Sequence, residues 1–248
     1  MGRALSLLAL TAALAAAAWL ATRPGTASAP APTRPGAAAR RDAGPQPVPP
    51  ARRTRHAGRL GFRRRLEADI VWHRSHALGL PYAGSLVGGV RLPREGVHFF
   101  TWDPVLHRSP NRPWRRYGTA RLVRTLLAVI DAFAAAHPHA ARVGIGDLSR
   151  PHGGDFGPRF GGIGHASHQN GLDADVYYPL RDRRERAPTS VGQIDHRLAQ
   201  DLVDRFVRAG AQFVFVGPDT HLRGPAGIVE VLVHHDDHLH VRLPPDSG

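Results

Sequence analysis

Two segments of the chain carry apolar residues at the spacing of an amphipathic helix. Residues 120–136 form the first segment, and its apolar positions fall on one face when 3.6 residues complete a turn. These positions are Leu122, Leu126, Val129, Ile130 and Phe133. Pro138 ends this predicted helix because proline cannot continue the backbone hydrogen bonding. Residues 194–209 repeat the pattern and predict a second helix.

Short apolar runs elsewhere in the chain predict strands. The four predicted strands cover residues 143–148, 172–178, 212–216 and 238–243. A loop rich in Gly and Pro, residues 151–164, follows the first of them. Short strands mixed with two substantial helices predict an α+β fold. Globular character begins near Leu60.

The first sixty residues have a different composition. Residues 1–29 are typical of a secretory signal, because Arg3 precedes an apolar stretch and Ala27-Ser28-Ala29 offers a cleavage site. An uncleaved anchor is the alternative, since about 18–20 apolar residues can span a bilayer. Residues 30–58 are rich in Pro, Ala and Arg, and we expect an extended linker there because few large apolar side chains are available for burial. The folded domain is then predicted to cover residues 59–248.

The basic charge of the chain is concentrated at its N-terminal end. The sequence holds 33 arginines, no lysine and 20 acidic residues. Residues 1–65 contain 12 of the arginines and one acid, Asp42, so their net charge is +11 whereas residues 66–248 carry only +2. A nucleic-acid binder needs its basic residues on the folded part, and we therefore predict no nucleic-acid partner. The absence of cysteine excludes disulfides, thiolate zinc sites, iron–sulfur clusters and a cysteine nucleophile.

Histidines and aspartates form two clusters in the second half of the chain. The first cluster contains His165, His168, Asp173 and Asp175, and the second contains His234, His235, His238 and His240. Neither an H-x-H nor an H-x6-D spacing is specific alone, and a His-rich tract can be a loose metal-binding surface. Their joint occurrence on strand-like sequence favours a catalytic metal site.

The alternation of side chains along a strand suggests how the two clusters meet. Asp173 and Asp175 share one face of the strand 172–178, and His238 and His240 share one face of the strand 238–243. If these strands are neighbours, Asp175 and His240 face one point, and the preceding loop can add His168. Two imidazoles and one carboxylate suit a catalytic zinc ion, which keeps a fourth position open for water. We therefore predict one Zn²⁺ site.

Several stretches of the sequence resemble a known enzyme family. They are Gly146-Asp147-Leu148, Gly161-Gly162, residues 165–176 and residues 235–243. These stretches resemble the penicillin-insensitive murein endopeptidases, which are grouped with lysostaphin-type enzymes, D-Ala-D-Ala carboxypeptidases and the hedgehog N-domain. The resemblance covers roughly residues 80–245. It implies a single LAS/hedgehog-like domain in which a small, mainly antiparallel sheet carries the zinc site between flanking helices.

The resemblance also implies a role for each residue of the first cluster. His168 and Asp175, together with His240 of the second cluster, would bind the zinc ion. His165 matches a further active-site histidine and is a candidate additional ligand. Asp173 would not contact the zinc ion and would instead help to hold its ligands in position.

The second cluster would supply the catalytic groups. His238, the first histidine of H-x-H, would lie beside the metal as a base or transition-state stabiliser. His235 is the second catalytic candidate. It stands where the D-Ala-D-Ala carboxypeptidases carry a glutamate, and a histidine there favours the endopeptidase branch.

The function implied by the resemblance is zinc-dependent cleavage of peptide cross-bridges in peptidoglycan, with the D-alanyl–diaminopimelate bond as the expected target. Export agrees with a substrate outside the cytoplasmic membrane, so the expected location is the periplasm or the cell wall. Membrane contact is expected only through an uncleaved N-terminal segment. Two alternatives stay open: a D-Ala-D-Ala carboxypeptidase of the same group, and a non-catalytic, zinc-containing module that binds the wall.

Overall fold

A computed structural model describes residues 50–157 and 165–245, with side chains from residue 57 onward. The helices are α1 (Pro50–Ala68), α2 (Ala120–Ala136) and α3 (His196–Arg208). The strands are β1 (His76–Leu80), β2 (Ala83–Val87), β3 (Val90–Arg91), β4 (Phe99–Thr101), β5 (Tyr117–Gly118), β6 (Val143–Ile145), β7 (Asp173–Tyr177), β8 (Phe213–Val216), β9 (Val229–Val231) and β10 (His238–Arg242). Among these residues, no helix combines the length and apolar character that a membrane span requires. The predicted signal 1–29, the linker residues 30–49 and Gly161-Gly162 lie outside the described residues.

Six strands form the central sheet in the order β4-β6-β7-β10-β8-β9. The inner pairings β6–β7, β7–β10 and β10–β8 are antiparallel. The edge pairings β4–β6 and β8–β9 are parallel. The prediction of an α+β fold with a mainly antiparallel sheet is therefore confirmed. Two small two-stranded sheets, β1–β2 and β3–β5, complete the strand pairing of the described residues.

Both predicted helices begin at a capping side chain. Thr119 accepts a hydrogen bond from the Leu122 amide at the start of α2, over 3.1 Å. Asp195 does the same for the Leu198 amide at the start of α3, also over 3.1 Å. Such caps satisfy amide groups that have no partner within the first helical turn. The caps explain why α3 begins at His196 rather than at Ile194, the start that the apolar pattern predicts.

The apolar faces of α2, α3 and the central sheet meet in one hydrophobic core. Ala174 and Val176 of β7 and Leu239 and Val241 of β10 belong to this core and are fully buried. Because successive side chains of a strand point to opposite faces, the residues between them project from the other side of the sheet. Core packing thereby determines which side chains of β7 and β10 are available for chemistry.

The N-terminal helix is a departure from the sequence prediction. α1 begins at Pro50, within the segment 30–58 for which the sequence predicts an extended linker, and the predicted boundary at residue 59 falls inside the helix. Proline is favoured at the first helical position, and the Ala, Arg and Leu residues that follow are good helix formers. Arg63 of α1 forms an ion pair with Glu95 over 3.0 Å. Part of the basic charge that the sequence assigns to a tail therefore belongs to a packed helix.

We predict that Asp195→Ala lowers the free energy of unfolding by about 1 kcal/mol, because the Leu198 amide loses its capping partner. Urea denaturation measures this change. Arg197→Ala is the matched control in the same turn, since its side chain is exposed, and it should shift stability by less than about 0.5 kcal/mol. Equal losses for the two variants would argue against the capping role.

Candidate metal centre

The pairing of β7 with β10 brings the two predicted clusters together. The antiparallel register places His240 opposite Asp175 and His238 opposite Tyr177. Nδ1 of His240 lies 3.4 Å from Oδ1 of Asp175. The predicted meeting of Asp175 and His240 on one face of neighbouring strands is confirmed.

The loop before β7 adds His168 to this pair. Its backbone has a φ of 67°, a left-handed conformation that is uncommon for residues other than glycine. The next amide, of Gln169, donates to the Pro81 carbonyl of the β1–β2 turn over 2.9 Å, which fixes the loop against that hairpin. The buried imidazole lies with Nδ1 2.6 Å from the Leu148 carbonyl. Since a carbonyl only accepts, Nδ1 carries a hydrogen and Nε2 is the atom directed at Asp175.

Three imidazole nitrogens surround one oxygen of Asp175. Nε2 of His168, Nδ1 of His240 and Nε2 of His238 lie 3.3, 3.4 and 3.6 Å from Asp175 Oδ1. Ligand atoms placed about 2.0–2.1 Å from a tetrahedral zinc ion are about 3.3–3.4 Å from one another. His168 Nε2 and Asp175 Oδ1 are both buried without a well-formed hydrogen bond, which is costly unless a proton or a metal ion is held between them. The donor set therefore fits a divalent metal ion.

His165 belongs to the same cluster but has a partner of its own. His165, His168 and Asp175 each offer a ligand atom within 4.8 Å of the others. Nε2 of His165 lies 2.8 Å from Oδ2 of Asp147 and 3.9 Å from Oδ2 of Asp175. The buried carboxylate of Asp147 is also held by the Arg115 guanidinium, whose Nε donates over 2.6 Å. A metal ion would compete with Asp147 for this nitrogen.

The residues around Asp147 support the centre in ways that sequence reasoning missed. Gly146 leaves room for the centre, since a Cβ there would lie 3.0 Å from the Cβ of Asp175. Leu148 contributes the carbonyl that fixes the tautomer of His168. The resemblance includes Gly146-Asp147-Leu148, but the ion pair of Asp147 with Arg115 joins residues 32 positions apart. No local pattern of the sequence indicates that pairing.

Asp173 lies behind His240, on the side away from Asp175. Its Oδ1 accepts hydrogen bonds from His240 Nε2 and from Arg242 Nε, each over 2.7 Å. Donation from Nε2 leaves Nδ1 of His240 free to face Asp175, and a carboxylate partner of this kind orients a metal-binding histidine. This contact is what a supporting role for Asp173 requires.

Burial and neighbouring carboxylates act in opposite directions on the buried groups. Burial by itself lowers the pKa of His168, but Asp175 and the other carboxylates outweigh it and raise the pKa to about 9. For His240 burial prevails, and the pKa falls to about 4 despite the bond to Asp173. Burial raises the pKa of Asp175, yet the surrounding imidazoles hold it well below its ordinary value. At neutral pH Asp175 is therefore ionised, His240 is neutral and His168 is protonated. A metal ion bound by these groups would displace the His168 proton.

The two predicted catalytic histidines lie next to this centre. Nδ1 of His238 is 2.7 Å from Oδ1 of Asp237. Burial lowers the pKa of His238, but Asp175 and Asp237 raise it overall. His235 donates from Nδ1 to the Val233 carbonyl over 2.9 Å, and its ring centroid lies 4.8 Å from that of His238. Burial and the nearby His238 lower the pKa of His235.

Comparison with known proteins points to one family. A family model described as penicillin-insensitive murein endopeptidase matches residues 77–212, more than half of the chain. This range includes the first histidine cluster and ends before the second. The penicillin-insensitive murein endopeptidase of Yersinia enterocolitica serotype O:8 / biotype 1B is 28% identical over 192 residues, which covers 66% of this chain and 65% of the relative. The chain therefore matches just under two thirds of that relative's length.

We predict that Asp173→Asn weakens metal binding about 10–100-fold, because an amide holds the His240 tautomer less firmly than a carboxylate does. Competition with a chelator of known affinity measures the change. Asp131→Asn, on the exposed face of α2, is the control and should bind metal like the wild type. If both variants keep the wild-type affinity, Asp173 does not support the centre.

Proposed function

The chain belongs to the penicillin-insensitive murein endopeptidase family, and from this premise we propose that it is a zinc-dependent endopeptidase that cleaves peptide cross-links in peptidoglycan. The observation that carries the proposal is the convergence of three imidazole nitrogens on the buried Oδ1 of Asp175, at 3.3–3.6 Å. Independent support comes from β10, which lies beyond the matched residues 77–212. The sheet nevertheless aligns its His240 with Asp175.

The metal ligands in this proposal are His168 Nε2, Asp175 and His240 Nδ1. Each nitrogen faces Asp175 while the other nitrogen of the same ring is held, by the Leu148 carbonyl for His168 and by Asp173 for His240. His165 ranks behind them as an additional ligand, because Asp147 already binds its Nε2. When bound to two imidazoles and a carboxylate, zinc polarises a peptide carbonyl and lowers the pKa of water to about 7.

Proton transfer in the proposed reaction falls to His238. Asp237 holds its Nδ1, so that Nε2 points toward Asp175 and the reacting region. An imidazole in this position can accept the proton of the attacking water at Nε2 and pass it to the leaving amine. His235 lies beside it with Nδ1 donating to a backbone carbonyl. Its lowered pKa keeps the ring neutral at pH 7, and Nε2 is then a hydrogen-bond acceptor for the substrate amine.

Arg115 and Phe156 hold His165 and its partner Asp147 in place. Arg115 keeps Asp147 ionised, because burial raises the pKa of Asp147 but the bonds from Arg115 and His165 lower it overall. The ring of Phe156 stacks on His165 with centroids 5.1 Å apart and planes 17° apart. Together they fix the orientation of His165 and shield its ring from water.

The alternatives within and beyond the family are weaker. A D-Ala-D-Ala carboxypeptidase of the larger group is expected to carry a glutamate where this chain has His235. A wall-binding module without activity needs no side chain oriented for proton transfer, whereas here Asp237 holds the His238 ring in a fixed orientation. We therefore favour endopeptidase activity, with a D-alanyl–diaminopimelate cross-link as the proposed bond. The proposed location is outside the cytoplasmic membrane, reached through the predicted signal 1–29.

We predict that the purified chain converts crosslinked muropeptide dimers to monomers, and that chelation of the metal abolishes this conversion. Asp175→Ala and His240→Ala should do the same, because each removes a proposed ligand, whereas His139→Ala removes an exposed histidine and should leave turnover intact. Mass spectrometry of the products identifies the bond. Release of a terminal D-Ala would assign the chain to the carboxypeptidase branch. Stoichiometric zinc binding without cleavage would favour the wall-binding module.

We also predict that His238→Ala keeps its zinc and lowers kcat by roughly 10²–10⁴-fold, the range typical of general acid–base groups. The test is a combined measurement of metal content and turnover. His234→Ala, an exposed neighbour in the same motif, is the control and should retain both. Loss of zinc from His238→Ala would instead identify His238 as a metal ligand. The distance of 3.6 Å between its Nε2 and Asp175 Oδ1 is compatible with that alternative.

A further inference from the structure

A cavity of about 520 Å³ shares no residue with the metal centre. Residues near the end of α1, the strands β3 and β5 and the segment after β3 line it. Three of the lining residues are arginines: Arg91, Arg94 and Arg116. Asp69 is the one carboxylate among the described lining residues. The formal charge of the lining is therefore positive, on a wall that is otherwise largely apolar.

Arg116 is the unusual member of this group because it is buried without a carboxylate partner. Only 6% of its surface is exposed. Its Nη1 donates to the Leu92 carbonyl over 2.6 Å, whereas its Nε is buried without a hydrogen-bond partner. Burial and repulsion from Arg91 and Arg94 lower its pKa to about 10.

The preceding residue shows how a buried arginine is normally compensated. Arg115 is also buried, and its guanidinium donates to both carboxylate oxygens of Asp147. Burial lowers its pKa, but Asp147 outweighs this and raises it. Within the described part of the chain, no acidic side chain forms such a pair with Arg116. A buried cation without an anion is unfavourable, so an anion from outside the described chain would satisfy it.

We propose that this cavity binds a small molecule through an oxyanion group, a phosphate or a carboxylate, held by Arg116 and by the exposed Arg91 and Arg94. The guanidinium group presents a planar set of donors that matches two oxygens of either anion. The cavity volume of about 520 Å³ lies within the range of small-molecule sites. It leaves room for the body of a ligand beside its charged group. This site is separate from the proposed peptidase activity and does not depend on it.

The test compares anions at constant ionic strength, using the full chain and two readouts: the Tm and the heat of binding. Sodium phosphate and sodium succinate supply the two oxyanions, and sodium chloride is the reference. Phosphate or succinate should raise the Tm of the wild type above its value in chloride, and whichever raises it more identifies the preferred group. A Tm that is the same in all three salts would overturn the proposal.

Arg116→Met is the decisive variant, since methionine removes the charge but keeps part of the apolar volume. Its affinity for the preferred anion should fall by roughly tenfold or more, as expected for the loss of charge-assisted hydrogen bonds. In chloride its Tm should stay close to that of the wild type, because the removal of a buried charge without a carboxylate partner offsets the loss of the hydrogen bond to the Leu92 carbonyl. A lower Tm in chloride with an unchanged anion response would make Arg116 a purely structural residue and overturn the proposal.

Two further variants keep the test interpretable if Arg116→Met does not fold. The double variant Arg91→Gln and Arg94→Gln changes only exposed side chains, and it should lose most of the anion response while staying folded. Arg184→Gln is the matched control, because its side chain is 75% exposed and lies outside the cavity. It should respond like the wild type. An equal response in the double variant and the control would contradict an anion site at this cavity.

Discussion

In the antiparallel pair β7–β10, one face of the strands must be apolar to pack in the core and the other must be polar to form the proposed site. The core takes Ala174 and Val176 from β7 and Leu239 and Val241 from β10, and the opposite face carries the aspartates and histidines. A shift of one residue in either strand would exchange the faces, placing charged groups in the core and apolar ones at the site. The hydrophobic effect thereby fixes the register, and the register determines that His240 faces Asp175. The chemistry of the proposed site depends on this packing constraint.

The second requirement is a balance of buried charge. Asp147, Asp173 and Asp175 are all buried, and an unpaired buried carboxylate is strongly destabilising. Asp147 is paired with Arg115, and Asp173 with Arg242 and His240. Asp175 differs, because imidazoles alone surround it and its Oδ1 has no hydrogen-bond partner. Asp175 is thus the one of these three carboxylates whose charge is balanced by histidines alone, and a divalent metal ion would take the place of the proton that His168 holds beside it.

Local periodicity explains how much of the fold the sequence could predict. α2 has a long apolar stripe, and β7 and β10 alternate between apolar and polar residues, so these elements and the meeting of Asp175 with His240 were predictable. The edge strands β4 and β9 have three residues each, too few for any period to be recognised. The sequence does not predict the start of α1, because the prolines and arginines around it are typical of a linker. The pairing of Arg115 with Asp147 and the left-handed backbone of His168 depend on tertiary contacts, which no window of sequence contains.

The metal ion is proposed to bind where β7, β10 and the loop at His168 converge. X-ray absorption spectroscopy of the full chain with one equivalent of zinc tests it most directly, because the spectrum reports ligand types and distances independently of activity. We expect a four-coordinate ion with nitrogen and oxygen ligands at about 2.0–2.1 Å and outer-shell scattering from at least two imidazoles. His240→Ala should remove one imidazole from that shell. A six-coordinate oxygen shell without imidazole, unchanged in His240→Ala, would show that zinc does not bind at this site.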